Sequence, residues 1–200
     1  RIRIRNLFAM SNRKHRASGR HKESLVSAQR QHRAGRLQAA EAQYREILQS
    51  NPDDAEAWYS LGMLFCQSNR LPQGLDVLRK AVQLRPGYFD AQFNLGNACK
   101  QQGLYEEAVR HFHKALEVQP DSAPVHNNLS NLLREQADAP AAEIHFRQAI
   151  KLNPQLVSAH NNLGNLLKAD GRLDAALESF QAALRADPES YISHHNLASL

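Results

Sequence analysis

Cysteine is scarce in this chain, with two in 200 residues. Cys66 and Cys99 lie 33 residues apart, outside any CxxC motif and with no histidine at ligand spacing, so neither a disulfide framework nor a zinc site is indicated. That usage fits a reducing, cytoplasmic compartment. Long hydrophobic runs are missing as well. No stretch nears the roughly 18 apolar residues of a membrane-spanning helix, and residues 1–10 lack the continuous apolar core of a secretory signal. This reading gives no membrane association. Aromatic residues make up only 6% of the chain, and the 42% hydrophobic fraction comes with many Ala, Leu, Gln and Asn, a mixture that favours helices over twisted sheets.

Acidic side chains are absent from residues 1–22, which hold eight of the 25 Lys and Arg. The remaining 17 basic side chains face all 20 acidic ones, a balance of −3, so the formal charge of +5 does not describe a basic folded surface. The leader, with Arg13, Lys14, Arg16, Arg20 and Lys22, lacks interleaved aromatics and reads as a disordered tail rather than a nucleic-acid or lipid anchor. Residues 1–9 read as sequence upstream of the folded start. The helical pattern that opens at Tyr191 has only just begun at Leu200, so the expectation is a piece of a longer protein.

What is present is a period. Pro52, Pro86, Pro120, Pro154 and Pro188 are each separated by 34 residues. A proline lacks the N–H of a helix interior and its ring clashes with the preceding turn, so each marks a recurring helix end. Aligned without insertions, the units run 21–54, 55–88, 89–122, 123–156 and 157–190, followed by a partial unit 191–200. Leu61, Leu95, Leu129, Leu163 and Leu197 hold the seventh place, followed by small residues Gly62, Gly96, Ser130, Gly164 and Ala198. The twentieth place holds Ala40, Gly74, Ala108, Ala142 and Ala176, and one turn later stand Tyr44, Leu78, Phe112, Phe146 and Phe180. Small facing large is what close helix packing requires.

Each unit therefore reads as helix A, a turn holding Gly35, Gly103 or Gly171, and helix B up to the proline. Pro72, Pro124 and Pro140 fall at helix starts, where a missing N–H costs nothing. Ser24, Ser27 and Gln31 at core-type places of the first helix suggest a polar cap. One hairpin cannot bury its apolar stripe, so stability must come from stacking neighbours.

The pattern resembles the tetratricopeptide repeat family, whose Trp-x2-Leu-Gly-x2-Tyr, Ala-x3-Phe and Pro text is best met by Trp58, Leu61, Gly62 and Phe65. The resemblance covers residues 21–200. It implies an all-α, right-handed superhelical solenoid of antiparallel helix pairs, with A helices lining a concave groove that binds protein or extended peptide.

Places that would face such a groove carry amides. The sixth holds Asn94, Asn128, Asn162 and Asn196, the ninth Asn97, Asn131 and Asn165, and the fifth Asn127 and Asn161. An Asn offers a donor and an acceptor, so it can pair with a peptide unit without reading its side chain. The plainer reading is that recently duplicated repeats share this text. Against it, Asn is a poor helix former, and holding it inside successive helices calls for a ligand or a structural hydrogen bond. Lys100, Arg134 and Lys168 at the twelfth place form a cationic line suited to acidic or phosphorylated peptides, or simply a solvated edge. The His-Asn-Asn-Leu and Asn-Leu-Gly text also resembles the repeat portion of O-GlcNAc transferases and SPINDLY-type glycosyltransferases. That resemblance implies a substrate-recruiting array whose catalytic domain lies beyond Leu200, with a stand-alone scaffold as the alternative.

Catalysis within this chain is not expected. No nucleophile-base grouping, phosphate-cradling glycine loop or paired carboxylates stand in a recognisable context. His126, His160 and His194 share the fourth place with Trp58 and Gln92, which makes them variants of one scaffold position rather than ligands of one ion. No cofactor, metal or small-molecule substrate is implied, and homodimerisation is left open.

Overall fold

The structure, a computed structural model, describes residues 21–200. The basic leader falls almost wholly outside that range. The chain divides into two compact units, residues 1–86 and 87–200. Among the described residues the first contains α1 (21–33), α2 (Leu37–Ser50), α3 (Ala55–Gln67) and α4 (Leu71–Leu84). The second contains α5 (Phe89–Gln101), α6 (Tyr105–Val118), α7 (Ala123–Glu135), α8 (Ala139–Leu152), α9 (Val157–Ala169), α10 (Leu173–Ala186) and α11 (Tyr191–Ala198). Among the described residues there is no strand, and the expected all-α hairpin array is what forms.

Helix B stops two residues before each periodic proline. The pre-proline residues Asn51, Arg85, Gln119, Asn153 and Asp187 take φ between −144° and −132°, the extended conformation that a following proline ring enforces. Helix A stops differently. Its carbonyls are closed by a left-handed residue, with φ of 74° at Gly35, 75° at Gly103 and 76° at Gly171. Asn69 and Ala137 occupy the equivalent places at 58° and 63°. The next N–H then reaches back five residues, as from Arg70 to the Phe65 carbonyl at 2.9 Å and from Asp138 to that of Leu133 at 2.9 Å. Ala137 shows that turn geometry is set by the hairpin even where glycine is missing.

Small residues meet large ones as the sequence suggests. A methyl group added at Gly62 would lie 2.7 Å from Leu78 Cγ, and one at Gly96 would lie 2.7 Å from Phe112 Cε1. Gly164 is closed over in the same way by Phe180. The cores follow from that seating. In the first unit Leu25 and Ala28 of α1 pack with Tyr44, Ile47, Leu61 and Phe65, while Ser24 is exposed and Ser27 and Gln31 are half-buried. In the second, Phe146, Leu163, Leu166, Leu167 and Phe180 form one cluster across α8, α9 and α10. Within this unit, neighbouring A helices α5, α7, α9 and α11 approach one another, whereas the B helices do not. One side of the unit is thus built from A helices alone.

Candidate functional site

On that A-helix side the asparagines form hydrogen-bonded rungs between repeats. Asn162 Nδ2 donates to Asn127 Oδ1 at 3.2 Å, and Asn196 Nδ2 donates to Asn161 Oδ1 at 3.1 Å. Where Phe93 replaces the fifth-place amide, Asn128 Nδ2 turns instead to Asn97 Oδ1 at 2.8 Å. Within their own helices, Asn94 Nδ2 donates to the Asp90 carbonyl at 2.8 Å and Asn131 Nδ2 to that of Asn127 at 3.1 Å.

The rungs divide the amides expected on a ligand face into two classes. Asn94, Asn97, Asn128, Asn131, Asn162, Asn165 and Asn196 are half-buried. Asn127 and Asn161 are 8% and 5% exposed, and Asn161 Nδ2 is also bound to the buried Ser193 hydroxyl at 2.8 Å. These two were expected to face a ligand and do not. The fifth place rotates under the neighbouring A helix, where an unpaired amide would be costly and a paired one ties the helices together. The cations also differ among themselves. Lys168 Nζ donates to Ser199, to its carbonyl and, at 3.0 Å, to its Oγ. The side chains of Lys100 and Arg134, both half-buried residues, make no hydrogen bond or ion pair among the described residues.

The fourth-place residues act as scaffold. His126, His160 and His194 donate from Nε2 to the carbonyls of Pro120, Pro154 and Pro188 at 2.9, 2.9 and 2.8 Å. Trp58 does the same from Nε1 to Pro52 at 2.7 Å, so two unlike side chains serve one purpose, holding the loop between repeats. Because His126 uses its Nε2 proton there, its Nδ1 accepts from His145 Nδ1 at 2.8 Å. Burial, with the charges of His126 and His113 next, holds the His145 imidazole below the usual histidine range.

Sequence models described as tetratricopeptide repeat match residues 88–155 in one case and residues 25–89 and 127–191 in another. The chain belongs to the tetratricopeptide repeat family. Solved structures of the same fold include MamA, with a TM-score of 0.77 and 19% identity over 81% of this chain and 95% of that one. YrrB, described as a TPR protein with an unusual peptide-binding site, matches with a TM-score of 0.78 and 19% identity over 88% of this chain and 91% of that one. TTC0263 of Thermus thermophilus, described as a thermophilic TPR protein, has 24% identity and a TM-score of 0.64 over 90% of this chain and 97% of that one. A comparison with curated proteins finds no match. In this tetratricopeptide array, no helix of the described residues is long and apolar enough to cross a membrane.

Ion clamps between tetratricopeptide repeats were not legible in the sequence. Glu143 on α8 accepts from Arg147 Nε at 2.9 Å and from Arg172 Nη2 of the next repeat at 2.6 Å. In the first unit Glu41 repeats the arrangement with Arg70 at 2.6 Å and Arg45 at 3.1 Å, and the Arg70 guanidinium lies 4.4 Å over the Phe65 ring. The hydrogen bonds from Arg172 and Arg70 hold these two carboxyls below the usual glutamate range. A carboxylate depressed in the fold stabilises above its unfolded pKa of about 4.3 and loses that contribution as pH falls through the folded value. The melting temperature should therefore fall as pH drops below about 4.3. Thermal scans across that range should show a shallower fall when Glu41→Gln and Glu143→Gln are combined.

Proposed function

We propose that the A-helix face of the second unit binds an extended polypeptide by its backbone, making the chain a protein-interaction module with no chemistry of its own. The observation that carries this is the state of Asn128, Asn162 and Asn196. Each is held from one Nδ2 hydrogen by the preceding A helix, while its Oδ1 accepts no hydrogen bond among the described residues. Oδ1 and the second Nδ2 hydrogen can thus receive a peptide N–H and donate to a peptide C=O. Because the rungs fix these amides before any ligand arrives, little side-chain entropy is lost on binding. Lys100 and Arg134 add positive charge along one edge and favour acidic or phosphorylated segments.

Two finer readings extend this one. The His-Asn-Asn-Leu text supports an array that recruits polypeptide substrates for an O-GlcNAc transferase-like protein. The alternative is a stand-alone scaffold that assembles a protein complex, with the same amide face as its binding surface.

Fluorescence anisotropy with a library of unstructured peptides tests both levels. The combined variant Asn128→Ala, Asn162→Ala, Asn196→Ala should bind about tenfold or more weakly, since each lost hydrogen bond is worth about 0.5–1.5 kcal/mol. Circular dichroism must show the helices intact. Broad, weak binding that the variant loses supports substrate recruitment, and tight binding of a few acidic sequences that it loses supports a scaffold. Binding that the folded variant keeps unchanged would remove the amide face as the site.

A further inference from the structure

One side-chain cluster lies apart from the amide face. At the eleventh, nineteenth and twenty-third places the second repeat carries Phe65, Gln73 and Val77, the fourth Leu133, Ala141 and His145, and the fifth Leu167, Ala175 and Ser179. The third alone of these carries three metal-binding groups, Cys99, Glu107 and His111. Cys99 is on α5, while Glu107 and His111 sit one turn apart on the same face of α6. One ligand atom from each, the thiol sulfur, a carboxylate oxygen and an imidazole nitrogen, lies within 4.8 Å of the other two. A buried cysteine alone is an ordinary apolar filler. A carboxylate and an imidazole drawn to the same point are not fillers.

Their orientation is that of ligands. His111 Nδ1 donates to the Gln92 side-chain carbonyl oxygen at 2.7 Å, which in the neutral ring leaves Nε2, 3.6 Å from Glu107 Oε1, as the nitrogen able to bind an ion placed between them. A carbonyl oxygen on the far nitrogen is the usual outer partner of a metal-bound histidine. Around a tetrahedral zinc-sized ion, with Zn–S of about 2.3 Å and Zn–N or Zn–O of about 2.0–2.2 Å, ligand atoms stand about 3.3–3.6 Å apart. Ligand atoms that lie within 4.8 Å of one another would draw in to that spacing on binding. Cys99 is fully buried, and the Glu107 side chain is 22% exposed, which gives an ion and a water molecule a path from solvent.

We propose that Cys99, Glu107 and His111 bind one divalent transition metal of the zinc class, stapling α5 to α6 and leaving a fourth position for water. A thiolate with an imidazole selects such borderline-soft ions over magnesium or calcium. On binding, the Cys99 S–H bond breaks, its proton leaves to solvent and the sulfur–metal bond forms. Glu107 binds as the carboxylate and His111 as the neutral imidazole through Nε2.

Cobalt(II) titrated into the purified protein is the test, because it takes the same geometry and is coloured. The expected result is a single saturable site with thiolate-to-cobalt charge transfer and the intense visible bands of four-coordination, displaced by zinc, and a melting temperature that zinc raises. Cys99→Ala should lower cobalt affinity by about 100-fold or more and abolish the charge transfer. Gln92→Leu should lower it about tenfold, and Cys66→Ala should leave it unchanged. His111→Val installs the residue that the second repeat carries at this place, and it should lose the site while keeping its helices. Absence of charge transfer at saturating cobalt would overturn the proposal. So would charge transfer that survives Cys99→Ala or is lost in Cys66→Ala.

Discussion

Replacing Phe180 with Ala is expected to cost about 3–5 kcal/mol of stability in urea unfolding followed by circular dichroism. The ring is fully buried, packs with Leu163, Leu166 and Leu167, and closes over Gly164 with no room for a methyl group between them. Removing it leaves a cavity that cannot collapse easily, since the facing position has no side chain to move in. Phe180→Leu is the informative comparison. In the first unit Leu78 covers Gly62 in the same way, so leucine is a seating that this scaffold already uses. The Leu variant should therefore cost only about 1–1.5 kcal/mol. Equal losses for the two variants would mean that the glycine seat does not govern packing there.

Asn127→Ala comes next in size, at about 1–3 kcal/mol. The side chain is 8% exposed, and its Oδ1 is the acceptor for Asn162 at 3.2 Å, so truncation leaves a half-buried amide on the next A helix without its partner. Asn165→Ala is the control. Asn165 is half-buried and its side chain makes no hydrogen bond among the described residues, so its loss should change stability by no more than about 0.5 kcal/mol. The same pair informs function. Asn127 touches no ligand in the proposed binding mode, yet its loss frees Asn162 to rotate, so peptide affinity should fall with stability. A variant at Asn127 that loses stability and keeps full peptide affinity would separate the rung from the binding face.

Turn chemistry was only partly legible. Gly35, Gly103 and Gly171 mark three of the hairpin turns, and the structure gives each a φ near 75°. Asn69 and Ala137 take the same backbone conformation without the residue that advertises it, because dense packing of each hairpin outweighs the roughly 1–2 kcal/mol that a left-handed alanine costs. The amides show the same division. Their placement on A helices follows from a period of three and four residues. Which amides point inward depends on how far each helix is rotated against its neighbour, a quantity fixed by side-chain packing between repeats.

The sequence by itself determined the repeat length, the helix ends and the pairing of small with large residues, because prolines, glycines and apolar periodicity act over a few residues or recur at a fixed interval. Only the tertiary structure decided that Asn127 and Asn161 are buried rungs, that Glu143 is clamped by Arg172, and that Cys99 meets Glu107 and His111. Those contacts join side chains on different helices, and whether such side chains touch depends on helix rotation and spacing that no local pattern encodes.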